Sequence, residues 1–126
     1  MSDTNITFGT PVKIVTTIND LLTRNGKTFA DITDVKYMLK ENKSDTDEAS
    51  VFNKSVKIGG SITLVPANSS FEVNIIPSDY GDTKIKAGEQ YLVCIGVEFN
   101  DSTYYIEDYD PHFTRMMNIL YDKIRA

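Results

Sequence analysis

Two side chains in this sequence belong to the types that most often do chemistry: His112 and Cys94, one of each. A Ser/His/acid or Cys/His arrangement must draw on one of them. A zinc site of thiolates and imidazoles needs three or four such ligands. Cys94 lies inside an alternating apolar segment, where a small buried hydrophobe is the first reading and a reactive thiol the second. His112 follows Pro111 at an expected helix start, a place for a surface or capping residue. A lone cysteine also excludes an internal disulfide. Neither G-x-x-x-x-G-K-[ST] nor G-x-G-x-x-G occurs, and Gly59-Gly60 alone is too short to cradle a phosphate.

The carboxylates are more numerous. Asp45, Asp47 and Glu48 have some of the look of a calcium loop, but the central Gly and the distal bidentate Glu of that motif are missing, which favours a solvated loop. Glu107, Asp108 and Asp110 stand just before an expected helix, where negative charge suits the helix dipole without any catalytic role. Seven Tyr and six Phe, with no Trp, raise the question of a sugar-binding platform. Tyr37, Phe71, Tyr91 and Phe99 fall at inward positions of alternating strands; Tyr80, Tyr105 and Tyr109 are less constrained. The expectation is a protein that is not an enzyme, with no catalytic residue, no cofactor and no metal. An aromatic surface that binds carbohydrate or a host surface is the alternative.

Most elements that must position these residues are strands. Val12, Ile14 and Ile18 share one face of Pro11–Ile18. Asn25-Gly26 marks a turn. In Asp34–Glu41, Val35, Tyr37 and Leu39 point one way and Lys36, Met38 and Lys40 the other, which is the pattern of a half-buried strand. The polar stretch from Asn42 to Glu48 connects it to Val51–Ile58. Ile62–Val65 follows, then Phe71, Val73 and Ile75 alternating with Glu72 and Asn74, until Pro77 breaks the run. From Gly88, Tyr91, Val93, Ile95, Val97 and Phe99 share a face and the other face is apolar near its middle, so this strand belongs at the centre of a sheet. Asn100-Asp101-Ser102 turns the chain back through Thr103–Glu107. Seven or so short strands at spacings near ten residues predict an all-β antiparallel sandwich.

The tail reads differently. Asp110 suits an N-cap and Pro111 a first helical position. Phe113, Met116, Met117, Leu120, Tyr121 and Ile124 then recur at helical spacing, a six-residue apolar stripe that must bury on its own sandwich or on a neighbour. These six are the candidate interface. The expected division is a polar arm over 1–10, a β-sandwich domain over 11–109 and an amphipathic α-helix over 110–126.

With 126 residues the chain has the length of one domain. Its 13 Lys and Arg against 18 Asp and Glu leave a formal charge of −5, so it has no general field for nucleic acid or an anionic membrane. No secretory signal is visible, and the longest apolar stretch, Tyr91–Val97, is far short of the roughly 20 residues of a membrane span. The triplets at Asn5, Asn42, Asn53, Asn68 and Asn100 have the form of glycosylation acceptors, but in an Asn- and Thr-rich chain without a signal they read as composition.

One family shares this order of elements. A strand leads through a polar turn into Asp31-Ile32-Thr33-Asp34-Val35-Lys36-Tyr37-Met38-Leu39-Lys40. The loop with Asp45, Thr46, Asp47 and Glu48 comes next, then Val51–Val56, Ile62-Thr63-Leu64 and Phe71-Glu72-Val73-Asn74-Ile75-Ile76-Pro77-Ser78-Asp79. Ala87-Gly88-Glu89-Gln90-Tyr91-Leu92-Val93 precedes the final hairpin. Over residues 11–107 this resembles the immunoglobulin-like domain at the N-terminus of phage baseplate upper proteins and in small tail-associated phage proteins. Tyr80-Gly81-Asp82 stands where family members place a Thr, and the expected helix replaces a closing strand or further domains. The resemblance implies an immunoglobulin-like fold and a structural role in the virion, as a tail-, baseplate- or neck-associated module made in the host cytoplasm. Its implied partners are other virion proteins and further copies of itself in a homo-oligomer or symmetric assembly. It implies no catalytic residues.

Overall fold

In the computed structural model, which describes residues 4–42, 46–57, 62–81, 83–107 and 116–120, alternation becomes strand wherever the sequence shows it. In chain order the elements are β1 (Thr4–Thr7), β2 (Val12–Thr17), α1 (Asn19–Arg24), β3 (Ile32–Lys40), β4 (Phe52–Ser55), β5 (Ile62–Val65), β6 (Ser70–Ile75), β7 (Gln90–Phe99), β8 (Tyr104–Glu107) and β9 (Met116–Leu120). The all-β expectation holds, and the strands form two sheets. The larger has the order β1-β9-β7-β3-β4, with β8 also paired to β7; the smaller is β2-β6-β5.

β7 organises the larger sheet. Along one side it pairs antiparallel with nearly all of β3, from Ile32 opposite Phe99 to Lys40 opposite Leu92. Its other side is shared. β8 covers Ile95–Glu98 and β9 covers Gln90–Leu92, so the returning chain uses one edge of β7 twice. In the smaller sheet β2 and β5 flank β6 with unbroken antiparallel registers.

The inward residues of both sheets meet in one core. Val35, Tyr37 and Leu39 of β3 and Val93, Ile95 and Val97 of β7 are buried against Phe71, Val73 and Ile75 of β6. Tyr37 ties the sheets together: its ring meets Phe52 of its own sheet edge-on at 6.2 Å and Phe71 of the other at 6.3 Å. Such edge-on pairs add about 0.5–1.5 kcal/mol beyond burial. α1 is not foreshadowed by any periodicity. Its six residues form one and a half turns because Leu21 and Leu22 are drawn into the core, and it ends where Gly26 takes φ +64°, a conformation glycine adopts without strain.

Two expectations are corrected. Residues 4–7, read as part of a polar arm, form β1, which lies parallel to β9 with Thr4 opposite Met117 and Thr7 opposite Leu120. Residues 116–120, read as part of a helix, form β9. The reason lies in the ladders. In a helix this segment would satisfy only its own backbone; as a strand it bonds to β7 on one side and β1 on the other, while Met117 and Ile119 enter the core at alternate positions. Residues 110–115 and 121–126 of the expected helix lie outside the described residues.

Candidate functional site

Of the six residues of the expected interface, the two whose side chains are described, Met117 and Leu120, do not share a face. Met117 is fully buried, whereas Leu120, which a helix would place beside it, is 50% exposed at the end of β9. Met116 begins β9, paired with Leu92. Phe113, Tyr121 and Ile124 lie outside the described residues, as do Asp108, Tyr109, Asp110 and His112. β9 is nonetheless a joint. On it Asn118 accepts a hydrogen bond from Gln90 Nε2 at 2.7 Å and donates one to Asn5 Oδ1 at 2.8 Å. The three side chains make an amide ladder across β7, β9 and β1, adding side-chain bonds to the ladder that incorporates the first described residues.

The end of the fold where β7 begins is closed by buried phenols. Tyr91 is buried, and its hydroxyl accepts the backbone N–H of Lys86 at 3.0 Å. Tyr80 packs its ring edge-on against Phe8 at 5.2 Å and donates its hydroxyl to the carbonyl of Thr10 at 2.8 Å. Burial pushes both phenols above their ordinary pKa. Beside them Asp79 accepts the N–H of Ile76 and pairs with Lys54 of β4 at 3.6 Å, linking the turn after β6 to the other sheet. Tyr80, one of three candidates for an exposed aromatic patch, is therefore buried, and Tyr37, Phe52, Phe71, Tyr91 and Phe99 are buried with it. No aromatic ring whose exposure is described is a surface residue. A sugar platform gains nothing from them.

The opposite end, where β7 ends, is closed by charges. Lys27 pairs with Asp101 in the β7–β8 turn and also lies 5.6 Å from the centre of the Phe99 ring. Asp101 in turn accepts from Thr103. Asp31 accepts the hydroxyl of Thr28 at 2.8 Å and its N–H at 3.2 Å, while its backbone carbonyl takes the N–H of Asn100 at 2.9 Å. The bond from Lys27 holds the Asp101 carboxyl well below the usual range, and the Thr28 bonds lower that of Asp31.

A third cluster lies on β3 and β7. Lys57 bonds to Glu98 at 2.8 Å and gives its backbone N–H to the buried carboxylate of Asp34 at 3.2 Å. Thr33 also reaches Glu98. This pair of opposed carboxylates is the arrangement in which an acid/base function would be sought. The Lys57 bond instead lowers the Glu98 pKa, and the lysine is raised in return. Glu98 and Lys57 thus hold each other as an ion pair. Among the described residues no group of three His, Cys, Asp or Glu side chains is arranged to hold a metal. Cys94, placed by the sequence inside the central strand, lies in β7 opposite Met38 and is half-buried.

What remains is an edge. β2 flanks the smaller sheet, and among the described residues its only ladder partner is β6. It has six residues, whereas β1, β4, β5 and β8 have four each. Ile18 donates its N–H to Ser69. Because bonded and non-bonded pairs alternate in an antiparallel ladder, Thr16, Ile14 and Val12 bond toward β6. The backbone groups of Lys13, Val15 and Thr17 then face away from β6, toward the side on which no described residue pairs with β2. Val15 is 58% exposed, the highest value among the large exposed hydrophobic residues described. The sequence carried a signal for it: a β-branched apolar residue on the polar face of an alternating strand.

Compared with models of known families and with curated proteins, the sequence matches none.

Proposed function

We propose that this chain is a non-enzymatic structural component of a phage virion, an assembly module of the tail, baseplate or neck built on an immunoglobulin-like sandwich. The observation that carries the reading is the strand order. Taking β2, β3, β4, β5, β6 and β7 as strands B, C, C′, D, E and F, and β8 with β9 as an interrupted G, gives B-E-D in one sheet and C′-C-F-G in the other, an order that supports the immunoglobulin reading. The Tyr91 hydroxyl, bonded back to Lys86 at the entry to β7, has the form of the tyrosine corner of such domains. It falls within Ala87–Val93, one of the segments on which the phage resemblance rests. Repetition is the other support. A negatively charged domain with charge-paired surfaces and an open edge strand suits symmetric packing among copies of itself and other virion proteins.

Fractionation of the source phage tests this. Peptides of the chain should sediment with infectious particles through a density gradient, at a fixed ratio to a major tail protein. Peptides confined to the soluble host lysate would overturn the reading.

A further inference from the structure

We propose that the open edge of β2 pairs antiparallel with the same edge of a second copy, joining two three-stranded sheets into one of six strands. The inference deepens the assembly reading and rests on it for its purpose. The partner follows from the edge itself. Natural edge strands are protected by shortness, bulges, proline, charged side chains (lysine above all) or a covering helix or loop. β2 is six residues long, its register with β6 is unbroken from Val12 to Thr17, and its neighbouring proline, Pro11, precedes it. Its single charge, Lys13, is already 3.8 Å from Glu72 on the adjacent strand.

A two-fold axis normal to the sheet keeps both cores on the same side, so each residue must face one of the same parity. Among such registers, the one centred on Val15 pairs all three outward-facing backbones: Lys13 with Thr17, Val15 with Val15, and Thr17 with Lys13. That is self-complementarity of the kind an isologous contact requires.

Charge does not oppose this occupant. The chain carries a formal charge of −5, so copies repel one another in general, yet Val12–Thr17 holds no carboxylate. In the Val15-centred register the two Lys13 side chains stand four residues apart, about 13 Å along the strand, beyond the ~8 Å Debye length at physiological salt. The two exposed Val15 side chains cover one another. A contact of this length is smaller than the ~1,200–2,000 Å² of a stable free-standing dimer. It therefore gains strength from repetition within an assembly rather than from one pair alone.

A cysteine trap tests the edge directly. Bonded antiparallel pairs have Cα atoms about 5.5 Å apart, within disulfide reach. Val15→Cys, in a background with Cys94→Ala, should oxidise to a disulfide-linked dimer at high protein concentration. Thr63→Cys, exposed on the opposite edge strand β5, should remain monomeric under the same conditions. Adding Thr17→Pro to Val15→Cys removes two of the six intermolecular bonds and should cut the yield several-fold. If the Cys94→Ala background does not fold, Cys94 is kept and the 15–15 link is identified by peptide mass. Failure of Val15→Cys to dimerise, or equal dimerisation of Thr63→Cys, overturns the proposal and leaves that edge to a different protein or to none. Particle fractionation is unaffected by either result, so the edge and the virion reading fail separately.

Discussion

At the start of β7 the fold is fastened by buried phenols, and at its end by exposed charges. Tyr91 and Tyr80 fill the first end, and each hydroxyl bonds to backbone. At the second, Lys27, Asp31 and Asp101 bind a turn whose Asp101 side chain is 47% exposed. The difference is one of energy and of pH. A buried ring contributes through the area it removes from water, which acid leaves alone and charge screening does not weaken. An exposed ion pair is worth little and weakens with salt. The first end should therefore hold stability and the second should adjust it.

The largest test of that contrast is Tyr91→Ala, which empties a core site and should cost about 3–5 kcal/mol in urea unfolding. A cost under 1 kcal/mol would place the stability elsewhere. Next comes β9, where Met117→Ala should cost about 2–5 kcal/mol and Leu120→Ala less than about 0.5 kcal/mol. In a helical stripe the two would cost alike, so their ratio separates strand from helix. Tyr91→Phe keeps the ring and removes only the acceptor of the Lys86 N–H; about 1 kcal/mol is expected, measured by the shift in denaturation midpoint at constant slope.

The smallest effects are in pH. Asp31, Glu98 and Asp101 have lowered folded pKa values. Their contribution is in place above the unfolded carboxyl range and is lost as pH falls below about 4. The raised phenols act in the opposite sense: their contribution is complete below about pH 10 and is lost as pH rises past it. Asp101→Asn should flatten the acid limb of a stability–pH curve and leave the alkaline limb unchanged. Movement of both limbs together would break the distinction between the ends.

The same contrast governs what could be read from sequence. β2, β3, β6 and β7 were legible because the core-facing side of each is largely apolar, which writes alternation into the residues, although Met38 on the other face of β3 is buried as well. β9 was misread because Met116, Met117 and Leu120 fit a 3.6-residue period, while Ile119, apolar but off the stripe, fits the two-residue period that pairs it with Met117. Five residues cannot decide between the periods; the ladders to β1 and β7 do. β1 was missed because Ile6 is the one apolar residue in Thr4–Thr7, and α1 because six residues are too few for a helical period. The fastened ends were invisible for another reason. Lys27 and Asp101 lie 74 positions apart, and Tyr80 and Thr10 lie 70 apart, so only the folded chain brings them together. Of the interface expected on the tail, Met117 is core, while the most exposed large hydrophobe described is Val15 of β2.

The parallel pairing of β1 with β9 also gives the domain a mechanical direction. Tension applied ahead of Thr4 and beyond Leu120 would draw two parallel neighbours in opposite senses along their own axes. The four pairs from Thr4–Met117 to Thr7–Leu120 would then bear the load together rather than one after another, with the Asn5–Asn118 side-chain bond sharing it. A strand peeled from its end gives way bond by bond; one pulled lengthwise yields only when the whole set shears. Loaded through these two strands, the domain would behave as a stiff link instead of a zipper.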